Sequence, residues 1–347
     1  MTSSTTIEGF LLLVTIFFSA AAIAWVVARI LLRFSDRFPM FDIPDSEAHK
    51  KHKKRTPGIG GLILVATLAI MALLYRGFYS QETVAILVSG SIVFAFGLFD
   101  DIKRTNAFVK FAGQLLAVVV LMSFGVRVGI VQIFSSEINI LLNLIITVVW
   151  VIGITNAINL IDGADSLAIS QSLLAVGFLF VGSIVAKQEQ LIYQAMILLG
   201  VGAVLLYFNL PPAQLFLGDS GAQTIGFLLA SFAILYNPEV QPQASSWFVP
   251  ITFLIVPIFD VCLVFFSRIR RGVPFYRADL NHTYHRLVAR GFSPLRAVSL
   301  MGLSAGAAGL IGLVALYQEP VIANLIFASI LLVGVIAFYL LDVKPIR

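Results

Sequence analysis

Apolar stretches close to twenty residues long, separated by short polar segments, recur from one end of the chain to the other. Each is long enough to cross a hydrocarbon core of roughly 30 Å as a helix. The pattern predicts eleven spans, near residues 9–32, 58–76, 83–99, 107–125, 138–158, 166–186, 190–208, 221–236, 247–268, 295–317 and 320–341. A transmembrane β-barrel would alternate strictly over about ten residues per strand. The expected fold class is therefore all-α, a polytopic transmembrane helical bundle of eleven spans, with ten as the alternative. Residues 126–136 (VRVGIVQIFSS) alternate and are rich in β-branched side chains, which predicts a small surface hairpin. The first run, Phe10 to Leu32, is too long for a signal peptide, follows the acidic Glu8 and lacks a basic n-region, so it is expected to be a mature helix. With no internal repeat and no soluble insert, a single domain over 1–347 is expected, with polar loops near 33–57, 100–107, 159–166, 209–220 and 269–294.

Composition narrows the class further. Of 347 residues, 59% are hydrophobic and only 12% charged, about half the charge of a soluble globular chain. An ordinary soluble protein is excluded. Cys262 is the single cysteine, so no intramolecular disulfide can form and a cysteine-based metal site is not expected.

Charge is distributed unevenly. Segments 29–57, 100–110, 268–296 and the tail after Leu341 hold 20 of the 23 Lys and Arg, leaving Arg76, Arg127 and Lys187 for the other face. The positive-inside rule then predicts an outside N-terminus, cytoplasmic basic loops and a cytoplasmic C-terminus. All eleven Asp fall on the predicted inner side, whereas six of the seven Glu fall outside, so a net +5 separates into +8 inside and −3 outside. Orientation and contact with anionic headgroups account for the Lys and Arg. They do not account for the Asp, because carboxylates at helix ends cost desolvation and contribute little to topology.

Four polar clusters carry the candidate chemistry. In Phe99-Asp100-Asp101-Ile102-Lys103-Arg104 a long apolar run ends in adjacent carboxylates, about 100° apart on a helix, so one can serve a metal or act as base while the other orients it. Two solvated loop acids are the plain alternative. Asn156, Asn159, Asp162 and Asp165 recur every third residue and share one face of a helix end, suited to a nucleobase, ribose hydroxyls or Mg²⁺, or else to a polar helix-packing seam. Leu217-Gly218-Asp219-Ser220-Gly221 is a turn before a helix, where a phosphate and its Mg²⁺ would be favoured, or where Asp219 is only a cap. The loop from Arg268 to Arg286 gathers Arg268, Arg270, Arg271, His282 and His285, a set suited to phosphate; a zinc site lacks a third ligand. His49 and His52 lie in a basic loop ending in Thr56-Pro57-Gly58-Ile59-Gly60-Gly61, whose glycines permit a tight approach to the second span. Two buried charges stand apart. Lys110, just inside the fourth span, needs a carboxylate or phosphate partner, and Asp260, inside the ninth, would anchor Lys110 or an arginine or else touch substrate.

The motifs HKKHKKRTPGIGG, DDIKRT, NAINLIDGADSLA, LGDSGA and the loop RIRRGVPFYRADLNHTYH, in this order, resemble the polyprenyl-phosphate N-acetylhexosamine-1-phosphate transferase family over residues 42–290. The resemblance implies a bundle of ten or eleven helices in the bacterial cytoplasmic membrane with its active site on the cytoplasmic face. It also implies Mg²⁺ (or Mn²⁺) as cofactor, and a UDP-sugar and undecaprenyl phosphate as substrates, with UMP released. Membrane lipid is the expected surrounding partner, nucleic acid is not expected, and a homodimer is left open. The peptidoglycan branch usually carries three consecutive histidines where this chain reads His282-Thr283-Tyr284-His285. That looks closer to the branch using UDP-GlcNAc, in which Tyr284 replaces a middle histidine; a MurNAc-pentapeptide donor or a variant amino sugar is the alternative.

Residue by residue, the resemblance combined with the chemistry gives Asp100, Asp101 and Asp162 as catalytic and Asp219 and Asp101 as metal-binding. It gives Lys110, Asn156, Asn159, Asp165, Arg268, Arg270, Arg271, His282 and His285 as substrate-binding. Two other classes compete. An intramembrane prenyltransferase would need a second Asp-rich helix, and a secondary transporter would carry repeated halves with charges near the midplane.

Overall fold

The computed structural model describes residues 3–37, 40–42, 56–76, 80–130, 134–238, 248–272 and 281–342. The basic stretch with His49 and His52 lies outside these residues. Helices occupy each of the eleven apolar runs: α1 (Ser3–Arg33), α2 (Gly60–Leu74), α3 (Gln81–Lys103), α4 (Ala107–Ser123), α5 (Ser136–Ile161), α6 (Leu167–Val185), α7 (Glu189–Asn209), α8 (Gly218–Leu235), the pair α9 (Val249–Phe253) and α10 (Ile255–Arg271), and, after the short α11 (Thr283–Ala289), α12 (Pro294–Ala315) and α13 (Pro320–Asp342). Seven of these are long and apolar enough to cross a membrane, and the chain is a multi-pass membrane protein. Two residues from each of β1 (Phe41–Asp42) and β2 (Thr56–Pro57) pair antiparallel. The expected hairpin at 126–136 is not formed by the described part: residues 126–130 are irregular, and Val128 N–H donates to the Thr147 hydroxyl of α5. Residues 131–133 lie outside the described chain.

Local chemistry sets the helix ends. Ser80 caps α3 by accepting the Thr83 N–H, Asn106 caps α4 by accepting that of Val109, and α10 stops at Gly272, whose φ of +65° suits glycine. The ninth span breaks at Leu254 because Pro257 has no N–H to offer the Phe253 carbonyl one turn earlier.

The bundle is built around α8, where every residue from Ser220 to Ala233 is buried. It packs on α2, α3, α5 and α6. Small residues let the backbones touch. A Cβ on Gly97 of α3 would lie 2.6 Å from Ser220 Cα, and one on Gly226 of α8 would lie 2.8 Å from Thr155 Cα of α5. Where lipid rather than water surrounds the helices, this close van der Waals approach replaces the hydrophobic drive. The apolar faces of α12 and α13 stay largely exposed, as lipid-facing surfaces must.

Candidate active site

Four helix ends converge at one end of the bundle. Asp100 ends α3, Lys110 sits in the first turn of α4, Asn159 in the last turn of α5 and Asp219 in the first turn of α8. The Lys110 ammonium lies 2.6 Å from Asp100 Oδ2 and 2.7 Å from Asp219 Oδ2. Asp100 Oδ1 accepts both the backbone N–H (2.7 Å) and the hydroxyl (2.6 Å) of Thr105. Asn159 Nδ2 donates to the other oxygen of Asp219 at 2.7 Å. Lys110 thus has the carboxylate partner its burial demanded, and that partner is not Asp260.

Asp101 behaves differently from its neighbour. Its two oxygens accept the N–H groups of Asp219 (2.8 Å) and Ser220 (3.0 Å), the first turn of α8. The N-cap residue of α8 is Leu217, which has no side chain to do this. The helix N-terminus that the sequence offered to a phosphate is therefore filled by a carboxylate from α3, with the favourable end of the helix dipole behind it. A Cβ at Gly218 (φ +71°) would lie 3.0 Å from Asp101 Oδ2, so glycine there keeps the approach open. Residues 57–61 brace the same turn: Phe216 N–H donates to the Pro57 carbonyl, and Gly60 and Gly61 N–H donate to the Phe216 and Leu217 carbonyls.

The stripe on α5 divides. Asn159 reaches Asp219, but Asn156 donates to Gln114 Oε1 at 2.8 Å and to its own Ile152 carbonyl, and Gln114 donates on to Gln223 of α8 at 2.9 Å. Asn156 thus joins an amide seam between α4, α5 and α8, the arrangement of the packing alternative. Asp162 lies in the turn after α5. Burial, and then the carboxylates of Asp219, Asp101 and Asp165, push its carboxyl well above the usual range. Asn209, at the end of α7, ties this turn down by accepting the Ser166 N–H and donating to the Leu215 carbonyl.

Asp260, fully buried in α10, is not the partner of Lys110, which is held by Asp100 and Asp219. It meets His282 Nδ1 at 2.7 Å and accepts the Thr283 N–H at 2.6 Å, fixing the start of α11. His285 faces the Asp162 turn: a Cβ on Gly163 would lie 3.9 Å from its Nε2. Tyr284 stacks edge-on against His285, and burial, then the Asp165 charge, raise its phenol pKa, so it stays neutral. Of the arginines, Arg268 is buried in the last turn of α10 and Arg271 Nε donates to the Ser267 carbonyl. Arg270 pairs with Asp342 at 2.7 Å, which engages it with the end of α13 and not with the carboxylate cluster.

Sequence reasoning missed Thr105, Gln114, Gln223, Asn209 and, above all, Arg286. That arginine is wholly buried and bonded to Asp342, Ser267 Oγ and the Asn281 and Leu341 carbonyls. For Gln114 and Gln223 the available signal was a polar side chain inside an apolar run; Thr105 and Arg286 lie in predicted polar loops, where nothing in the sequence set them apart.

Among the described residues no three His, Cys, Asp or Glu side chains form a ready metal cage. Mg²⁺ does not need one, since it is commonly held by one or two carboxylates together with substrate phosphates. Asp219, with Asp162 close enough to feel its charge, fits that requirement.

A model of glycosyl transferase family 4 matches residues 83–237. The chain is 29% identical to a "Probable undecaprenyl-phosphate N-acetylglucosaminyl 1-phosphate transferase" of Bacillus subtilis, over 85% of this chain and 83% of that one. It is 30% identical to a "Decaprenyl-phosphate N-acetylglucosaminephosphotransferase" of Mycobacterium leprae, over 74% and 72%. A "Phospho-N-acetylmuramoyl-pentapeptide-transferase" of Lacticaseibacillus paracasei is 29% identical over a shorter match, 55% of this chain and 64% of that one.

Proposed function

Because this chain belongs to the polyprenyl-phosphate N-acetylhexosamine-1-phosphate transferase family, we propose that it moves GlcNAc-1-phosphate from UDP-GlcNAc to undecaprenyl phosphate in the bacterial cytoplasmic membrane. The observation that carries this reading is the Lys110 ammonium held between Asp100 and Asp219 at a bundle end. A cation flanked by carboxylates there can meet a soluble nucleotide from one side and a lipid phosphate from the other. An oxygen of the lipid phosphate forms a bond to the sugar-bearing phosphorus, the bond from that phosphorus to the bridging oxygen breaks, and UMP leaves with that oxygen. Phosphoryl transfer of this kind depends mainly on positioning and charge.

In the proposed arrangement Asp219, with Asp162 near it and Asn159 orienting its carboxylate, would hold Mg²⁺ (or Mn²⁺), which when bound would supply positive charge to the diphosphate. Asp100, fixed by Thr105, orients the lipid phosphate, and Lys110 stabilises the transferring group. Asp162, Asp165 and His285 contact the nucleotide sugar from the turn they share, with His282 aligned by Asp260, and Arg268 and Arg271 remain candidates for the phosphates. Asp101 leaves the catalytic and metal sets and becomes a positioning residue for α8; Asn156 and Arg270 leave the substrate set. The site faces the cytoplasm, as the distribution of basic residues implies.

Purified protein given Mg²⁺, undecaprenyl phosphate and UDP-GlcNAc is expected to release UMP and form lipid-linked GlcNAc diphosphate. If no member of a UDP-HexNAc panel yields UMP above a control lacking lipid, the reading fails.

A further inference from the structure

The last turns of α1 and the loop between α7 and α8 enclose a cleft of about 850 Å³, and none of the carboxylates of the active site lines it. Among the described residues its charged lining is Arg29 and Arg33, one helical turn apart, with Gln214 also on the wall. Both arginines are exposed, and among the described residues the lining holds no Asp or Glu beside them. Ile30, Phe34 and Pro212 make the wall apolar.

Two parallel rows on α1 run into this cleft. Trp25, Arg29 and Arg33 recur every fourth residue, and so do Val26, Ile30 and Phe34 beside them. The second row is 55%, 52% and 41% exposed, an apolar track leading out of the cleft along the helix. Trp25 leans on Tyr207 and Phe208 of α7, with ring centroids 5.1 and 5.0 Å away, one turn from Arg29. Amphipathic rings of this kind gather at the level of lipid headgroups.

We infer that this cleft binds the phosphate of a two-chain anionic glycerophospholipid of the surrounding membrane, such as phosphatidylglycerol, with an acyl chain lying along Val26, Ile30 and Phe34. A soluble anion would satisfy the guanidinium forks but leave the apolar row wetted, whereas an amphiphile satisfies both. A zwitterionic lipid would return a positive charge to a cleft that already carries two. Exposed arginines bind weakly and need an abundant partner, which favours bulk anionic lipid over scarce polyprenyl phosphate. The bound headgroup would steady a loop that is anchored by the Gln214 N–H to the Phe208 carbonyl and runs on to Gly218 and the active-site turn.

The test uses the full chain with Trp150→Phe and Trp247→Phe, so that Trp25 is the only indole, in phosphatidylcholine vesicles. At about 10 mol% of chain-brominated phosphatidylglycerol, Trp25 is expected to be quenched about twofold more than by the same fraction of brominated phosphatidylcholine. Arg29→Gln with Arg33→Gln should make the two lipids equal. Equal quenching with both arginines present overturns the inference, as does a preference that survives their loss. Displacement of the brominated lipid by equimolar undecaprenyl phosphate would assign the cleft to the polyprenyl chain and overturn it too. In protein with all three tryptophans, native mass spectrometry should find one phosphatidylglycerol retained that the double glutamine variant releases; retention in both refutes it.

Discussion

The Lys110 ammonium donates to Asp219 Oδ2 at 2.7 Å across the junction of α4 and α8. It also holds Asp100, so one positive charge keeps two carboxylates of different helices together before any substrate arrives. Lys110→Ala should lower kcat about 10²-fold or more, the scale seen when one positioned donor to a developing charge is removed. Lys110→Arg, which keeps the charge but not the compact geometry, should recover part of the loss. UMP release by monodisperse protein measures both, and a rate within a factor of two of the parent for the alanine variant would remove Lys110 from the mechanism.

Gly97 tests how closely α3 must approach α8. An alanine there puts a methyl 2.6 Å from Ser220 Cα and 3.0 Å from its N, against backbone that cannot swing aside. Overpacking of this kind costs about 1–3 kcal/mol, and the displaced turn carries Asp219. Gly97→Ala should lose both Tm and activity, whereas Gly153→Ala, with nothing within 4 Å, should lose neither.

Asp260→Asn keeps an acceptor for the Thr283 N–H but removes the charge facing His282. A hydrogen bond to a charged group is worth about 1.5–3 kcal/mol, so kcat/KM for the UDP-sugar should fall about tenfold. Thermal stability should change little, because α11 stays pinned by Arg286. A large fall in Tm with unchanged kcat/KM would make the pair purely structural.

Asp162 makes a pH prediction. Its carboxyl is raised in the folded protein, so the fold binds that proton more tightly than the unfolded chain does. The contribution is complete below the ordinary Asp range and fades as pH rises through the higher folded value. Asp162→Asn should therefore gain Tm relative to the parent at pH 8, by an amount that shrinks as the pH falls toward the ordinary Asp range. An advantage independent of pH would contradict the burial of the carboxylate.

Orientation can be read by labelling. With Cys262 replaced, a cysteine at position 187 should react with an impermeant maleimide from outside intact cells, and one at position 290 only after permeabilisation. The reverse pattern would place the carboxylate cluster on the opposite face.

All eleven apolar runs were legible because a lipid-crossing helix must satisfy its own backbone over a fixed length. The break at Leu254 was readable from Pro257 but went unread. Asp100, Lys110, Asn159 and Asp219 were legible as charges or amides at helix ends. What separates Asn159 from Asn156, or Asp101 from Asp100, comes from partners on other helices: Gln114 is 42 residues from Asn156, and Asp219 is 118 from Asp101. Spacing within one helix carries no trace of them.

Capping of α8 by Asp101 also bears on biogenesis. An ordinary cap is made from residues beside the helix it serves and can form as soon as that helix leaves the ribosome. Here α8 starts on a leucine and waits for a carboxylate inserted far earlier in synthesis. Until the two helices dock, a negative charge on α3 and the free N–H groups of α8 are both without their partners in the bilayer. Turnover by this protein therefore doubles as a report that its third and eighth spans have found each other.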